Sequence, residues 1–135
     1  AMIGAGKIGL TLAESLTKRG HQVTLVEEAK SIAGDVMPSF KWRHSAWVEE
    51  LEIKALTSTT LVSVDADGVV VGNAKGEASR IDVDTVLVSG PRKANHDLFN
   101  DFLWMIDELH GAGDALMPRG LDASIHEGFK IGVRI

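Results

Sequence analysis

Apolar positions recur along this chain with two periods, helical in some stretches and alternating or continuous in others. After a glycine-rich opening, Met2-Ile3-Gly4-Ala5-Gly6-Lys7-Ile8-Gly9, the residues Ile8, Leu12 and Leu16 fall at i, i+4, i+8. That spacing predicts a helix running to Arg19 with those three as its buried stripe, Gly9 and Ala13 beside them for close packing, and Gly20 at the left-handed stop. The run His21 to Val26 is rich in β-branched residues and predicts a strand ending at Glu27-Glu28. Pro38 opens a second helix to about Glu52, with Phe40, His44, Trp47 or Val48, and Leu51 on the face toward a sheet. Short strands at 53–56, 60–64, 69–71 and 77–81, separated by Asp65-Ala66-Asp67-Gly68 and Asn73-Ala74-Lys75-Gly76, predict an antiparallel meander. The near-continuous apolar run 84–88 has the character of a buried parallel strand. Farther on, 95–108 predicts a helix, Gly111 to Ala115 a glycine-rich turn, and Leu121, Ile125, Gly128 or Phe129, and Gly132 a last helix.

Composition narrows the function classes. With 135 residues, 44% hydrophobic and 24% charged, the chain has the make-up of a folded domain. Fourteen basic residues against nineteen acidic ones leave a net charge of −5, and the basic residues are scattered, so a nucleic-acid partner is not expected. The absence of cysteine excludes a disulfide framework, a thiolate zinc site and a thiol nucleophile. No apolar run approaches the ~20 residues that span a bilayer, and the start lacks the layout of a signal peptide, so no membrane partner and a cytoplasmic location are expected. The five histidines show no metal-binding helical spacing, and Trp42, Trp47 and Trp104 suit core or interface positions better than a stacking platform.

The chemistry concentrates in Gly4-x-Gly6-x-x-Gly9. Such a fingerprint needs its first glycine for a tight strand-to-helix turn, its second for close approach to a pyrophosphate, and its third for helix–strand packing. Gly4, Gly6 and Gly9 would thus admit the pyrophosphate, and Lys7 and Ile8 would offer backbone N–H groups at the helix start. Glu27, at the end of the second strand, stands where a carboxylate accepts hydrogen bonds from the adenosine ribose. A carboxylate there repels a 2′-phosphate, which favours NAD(H) over NADP(H). An FAD half-site would show two adjacent glycines after the acidic residue, where Ala33-Gly34-Asp35 offers one. Gly90 would let the chain pass near the cofactor. The expected fold is α/β: a Rossmann-like three-layer nucleotide-binding domain with a small antiparallel meander and a C-terminal helix. Asp114 and Arg119 read locally as a turn residue and a solvated charge.

The order of motifs resembles a known family. Ile3-Gly4-Ala5-Gly6-Lys7-Ile8-Gly9-Leu10, Val26-Glu27, Ser89-Gly90-Pro91-Arg92, and the tail Gly113-Asp114-Ala115 … Pro118-Arg119 … Ile125-His126-Glu127-Gly128 together resemble the C-terminal part of the NADH:flavin oxidoreductases, the 2,4-dienoyl-CoA reductase and trimethylamine dehydrogenase group. The resemblance implies a parent with a flavin-bearing barrel, an iron–sulfur cluster and an FAD- or ADP-binding domain interrupted by an NAD(P)-type domain. Residues 1–94 would be the NAD(H)-binding domain and 95–135 a connecting segment and the end of the surrounding flavin domain, in which Asp114 contacts the flavin's ribityl chain or phosphates. The chain then reads as a fragment, with a first strand of Ala1-Met2-Ile3 about two residues short of the usual ~5–6. It would lack its parent's flavin and barrel domains, leaving Leu121, Ile125, Phe129 and Val133 exposed and homo-oligomerisation expected. In the parent, the domain would pass electrons between nicotinamide and flavin. The alternative is a non-catalytic, structural nucleotide-type module of the trimethylamine dehydrogenase kind, inactive alone. An open glycine turn favours the first reading, and a side chain lying over Gly6 the second.

Overall fold

The strand β1, Met2–Ile3, is short and central. A computed structural model describes all of residues 1–135 and divides them into two compact units, Ala1–Gly90 and Pro91–Ile135. In the first, β1 pairs in parallel with β2 (Thr24–Val26) on one side and β7 (Leu87–Val88) on the other, and β3 (Lys54–Leu56) extends the sheet beyond β2. The resulting order, β3-β2-β1-β7, requires crossover connections, supplied by the helices α1 (Lys7–Lys18) and α2 (Pro38–Glu50) and by an antiparallel sheet. That sheet is the expected meander without its first strand: β4 (Thr59–Asp65), β5 (Gly68–Asn73) and β6 (Ala78–Asp82) run in sequence order, whereas the expected strand 53–56 joins the parallel sheet as β3.

Side-chain alternation assigns the layers. Met2 and Leu25 are paired in register and join Ala5, Leu10, Ala13, Ala33, Val36 and Ile53 in one core, with Leu16, Val48 and Leu51 packed around it. Their neighbours Ile3 and Val26 point the other way, into a second core with Val69, Val71, Leu61 and Ile81 of the meander. The parallel sheet therefore lies between helices and meander, giving the three layers. Leu25 and Val69 are fully buried, each contributing about 1.5–3 kcal/mol relative to exposure. At the meander's turn Arg80 donates to both oxygens of Asp65, at 2.8 and 2.7 Å, and this hydrogen bonding lowers the Asp65 pKa.

Several expectations are corrected here. The buried face of α1 is Gly9, Leu10 and Ala13, whereas Ile8 is 65% exposed and Leu12 is also exposed. Leu16 packs on the core as expected, so the helical period is right but its phase is rotated, Leu10 replacing Ile8 and Leu12 beside Gly9 and Ala13. Phe40 of α2 is exposed; Val48 and Leu51 carry the packing. The 84–88 strand shrinks to Leu87–Val88, at the sheet edge, with Val88 exposed. Trp42 and Trp104 are exposed rather than in a core.

In the second unit the helix expected over 95–108 is only α3, Asp97–Phe102, and Trp104 beyond it is 90% exposed. A 3-10 turn, Gly113–Ala115, precedes the last helix, α4, Leu121–Gly132. The residues Leu121, Ile125, Phe129 and Val133 are exposed. No helix of the chain is long and apolar enough to cross a membrane.

Candidate functional site

The chain leaves β1, turns at Gly4 and enters α1, and each glycine in that turn answers a separate steric demand. Gly4 has φ +98°, a conformation costly for any residue with a side chain, and a Cβ there would collide with the Ser89 carbonyl. A Cβ on Gly9 would meet the Gly4 carbonyl oxygen well under 3.0 Å away, so this residue sets how closely α1 sits on the strand. Gly90 has open space around it; its backbone nitrogen lies 3.2 Å from where a Gly4 Cβ would stand, so its place beside the turn is met by its backbone.

Gly6 is the N-cap of α1 and supplies no side-chain acceptor, which leaves the first N–H groups of the helix to find partners elsewhere. Leu10 N–H bonds the Gly6 carbonyl at 2.9 Å. Lys7 N–H donates to Asp35 Oδ1 at 2.7 Å, and the whole carboxylate lies over Gly6, its oxygens 2.9 and 3.0 Å from the position of an added Cβ. The N–H groups of Ile8 and Gly9 have no intrachain acceptor. The helix start thus presents the donor set of an anion site, and a carboxylate of the chain itself stands in for the anion.

Asp35 reaches this place through backbone geometry. Ala33 is buried and left-handed, with φ 60°, and its N–H bonds the Ala5 carbonyl at 2.8 Å. Val36, also buried, closes the turn onto the Ala33 carbonyl. This ties the loop after β2 to the glycine turn and aims residue 35 at the helix.

Glu27 directly follows β2, fixed by its N–H, which donates to the Leu56 carbonyl, and by its carbonyl, which accepts from Thr59 N–H. Its Oε2 accepts from Ala5 N–H at 2.7 Å and its Oε1 from Ala29 N–H at 2.8 Å. A carboxylate accepts about four hydrogen bonds, so acceptor capacity remains for hydroxyl donors. Glycine turn, free N–H groups and an acceptor carboxylate at the adjacent strand end therefore lie together at the carboxyl edge of the parallel sheet, where such folds bind ligands. These residues fit a dinucleotide's pyrophosphate and ribose, provided Asp35 swings aside.

Asp114 belongs to the second unit. Its carboxylate pairs with Arg92 and accepts from Arg119 N–H at 3.3 Å, while Arg92 also donates to the Arg119 carbonyl at 2.7 Å. Arg119 is no free surface charge, because its guanidinium pairs with Glu127. The Glu127 carboxylate also accepts from Gly113 N–H at 2.8 Å; that bond, then Arg119, lowers its pKa. The tail motif is thus one hydrogen-bonded network.

The structure brings the glycines and Glu27 of the sequence reading together and adds Asp35, which that reading did not single out. No local pattern marks this residue, because its reach to Lys7 depends on the left-handed backbone at Ala33.

The fold and site define a Rossmann-type nucleotide-binding domain of the flavoprotein oxidoreductases. Residues 1–109 match the pyridine nucleotide-disulphide oxidoreductase family, and the chain belongs to it. Among relatives, a metal reductase of Desulforamulus reducens is 26% identical over 84% of this chain and 17% of its own length. Dihydrolipoyl dehydrogenase 1, mitochondrial, of Arabidopsis thaliana is 32% identical over 85% of this chain and 27% of its own. A solved 2-naphthoyl-CoA reductase complex superposes with TM-score 0.84 at 30% identity, over 99% of this chain and 20% of that one. Histamine dehydrogenase from Rhizobium sp. 4-9 shares the fold, with TM-score 0.80 at 20% identity over 96% of this chain and 22% of its own. The chain spans roughly a fifth to a quarter of these proteins. Having no cysteine, it cannot itself carry the thiol chemistry in the family's name.

Proposed function

We propose that residues 1–94 are the NAD(H)-binding domain of a flavin-dependent oxidoreductase of the NADH:flavin oxidoreductase type, which passes electrons between nicotinamide and flavin in a longer parent protein. The observation that carries this is the interlocked turn, in which Gly4 and Gly9 leave no room for a side chain, with Glu27 hydrogen-bonded to Ala5 inside it. The cofactors supply the redox chemistry, and the protein supplies position and electrostatics. Ile8 and Gly9 would hold the pyrophosphate through their free N–H groups, and Glu27 would accept from the ribose hydroxyls and repel a 2′-phosphate.

Residues 95–135 are assigned to the closing segment of the parent's flavin domain. Support comes from the tail motif and from the solved 2-naphthoyl-CoA reductase, whose likeness extends through it. Asp114 is assigned there to the flavin, with Arg92 and Arg119 orienting its carboxylate.

One observation favours a second reading, a structural nucleotide-type module: the Asp35 carboxylate lies over Gly6 and fills the helix start. Calorimetric titration with NADH, NADPH and FAD, beside an absorbance spectrum of the protein as isolated, separates the two. NADH binding with little response to NADPH supports the nicotinamide domain; no binding of any of the three supports the structural module.

A further inference from the structure

Resting on the NAD(H) reading above, we propose that Asp35 is a displaceable internal anion that holds the glycine turn in the unliganded chain and competes with the dinucleotide's pyrophosphate for it. The Asp35 carboxylate and a pyrophosphate need the same donors: Lys7 N–H is 2.7 Å from Oδ1, and the carboxylate covers Gly6, the one fingerprint glycine whose missing side chain faces no backbone. Two anions cannot share that pocket, so occupation is exclusive.

The local structure permits the exchange. Ala33 and Val36 are buried and pin the loop on either side, while Asp35 itself is exposed and its neighbour Gly34 has open space about it. The side chain can therefore rotate away while the loop stays docked. When it leaves, Lys7 N–H joins the already free N–H groups of Ile8 and Gly9, completing the donor set at the positive end of the helix dipole. In the unliganded chain the same carboxylate satisfies that end, which otherwise would have no cap, since Gly6 supplies none. Asp35 thereby couples an intact empty turn to a weakened affinity for the cofactor, and the two structural readings become two states of one site.

The test is NADH titration of the full chain as wild type, Asp35→Asn and Asp35→Ala, with amide hydrogen exchange at Lys7 measured without nucleotide. Removing a competing charge-assisted hydrogen bond is expected to tighten NADH binding about tenfold in Asp35→Ala, equivalent to about 1.4 kcal/mol. Asp35→Asn, which keeps an acceptor and loses the charge, is expected to fall between, and it serves if the alanine variant does not fold. Lys7 exchange should quicken in Asp35→Ala. Binding by the variants alone also supports the proposal. Wild-type binding that either variant leaves equal or weakens overturns it while leaving the NAD(H) reading standing. Failure of all three proteins to bind overturns both, and unchanged Lys7 exchange removes the contact on which the proposal stands.

Discussion

A methyl group placed on Gly9 lands well under 3.0 Å from the Gly4 carbonyl oxygen, backbone against backbone, with no rotamer able to relieve it. Gly4 cannot yield either, because its N–H is bonded to the Val26 carbonyl at 2.8 Å and the Ser89 carbonyl crowds it from the other side. Restoring an ordinary C···O separation of about 3.3 Å requires α1 to retreat by about 1 Å. The retreat would loosen Leu10 and Ala13, both buried against the sheet. Gly9→Ala is therefore expected to cost about 2–3 kcal/mol, the upper range for overpacking, and to abolish NADH binding. Two further glycines separate this cause from general intolerance. Gly20, with φ +90° and open space, should cost about 1 kcal/mol on replacement by alanine, from backbone strain alone. Gly34, open and outside the left-handed region, should stay within about 0.5 kcal/mol. Urea unfolding of the three variants, followed by circular dichroism, gives the ranking. A Gly9→Ala protein as stable as Gly34→Ala would refute the claim that helix and strand touch through this residue.

Glu27→Gln puts an amide N–H₂ where backbone N–H groups now find acceptors, so NADH affinity should fall about tenfold and discrimination against NADPH should narrow, both measurable in one titration series. Acid should loosen the tail: the Glu127 pKa is depressed below its ordinary 4.5, chiefly by Gly113 N–H. A depressed carboxylate stabilises the fold above its unfolded pKa and loses that contribution as pH falls through the folded one. Protection of the α4 amides, corrected for the intrinsic pH dependence of exchange, should therefore fall as pH drops below 4.5, and a Glu127→Gln chain should show the reduced protection at every pH. The exposed Leu121, Ile125, Phe129 and Val133 make self-association through α4 our expectation for the isolated chain, and concentration-independent sedimentation as a monomer would contradict it.

How far the sequence carried depended on whether a feature was local. The last three strands of the meander were legible because the turns between them sit inside a few residues, and the glycine turn because Gly4 and Gly9 stand where neighbouring backbone leaves no room for a side chain. The face of α1 was legible only in part: Gly9, Ala13 and Leu16 pack as expected, but Ile8 and Leu12 are exposed and Leu10 is buried instead, because the close contact of Gly9 with the glycine turn sets which way the helix is rotated. Apolarity misled again over 95–108, where Leu98, Trp104 and Ile106 suggested a packed helix and all three are exposed. Asp35 was illegible, since its reach to Lys7 depends on a left-handed alanine that no propensity anticipates.

The central place of β1 also fixes an order of events. Met2 and Ile3 need partners from both β2 and β7, and Leu87 and Val88 are near the far end of their unit, whereas β4, β5 and β6 find theirs across short turns. Contacts between distant segments form slowly because the intervening chain must first be closed into a loop. The meander is thus the early-forming part and the glycine turn the late one, since Gly4 acquires its neighbour Ser89 only when the last strand docks. During synthesis on the ribosome, the glycine turn is then expected to close against Ser89 only after the first unit has emerged.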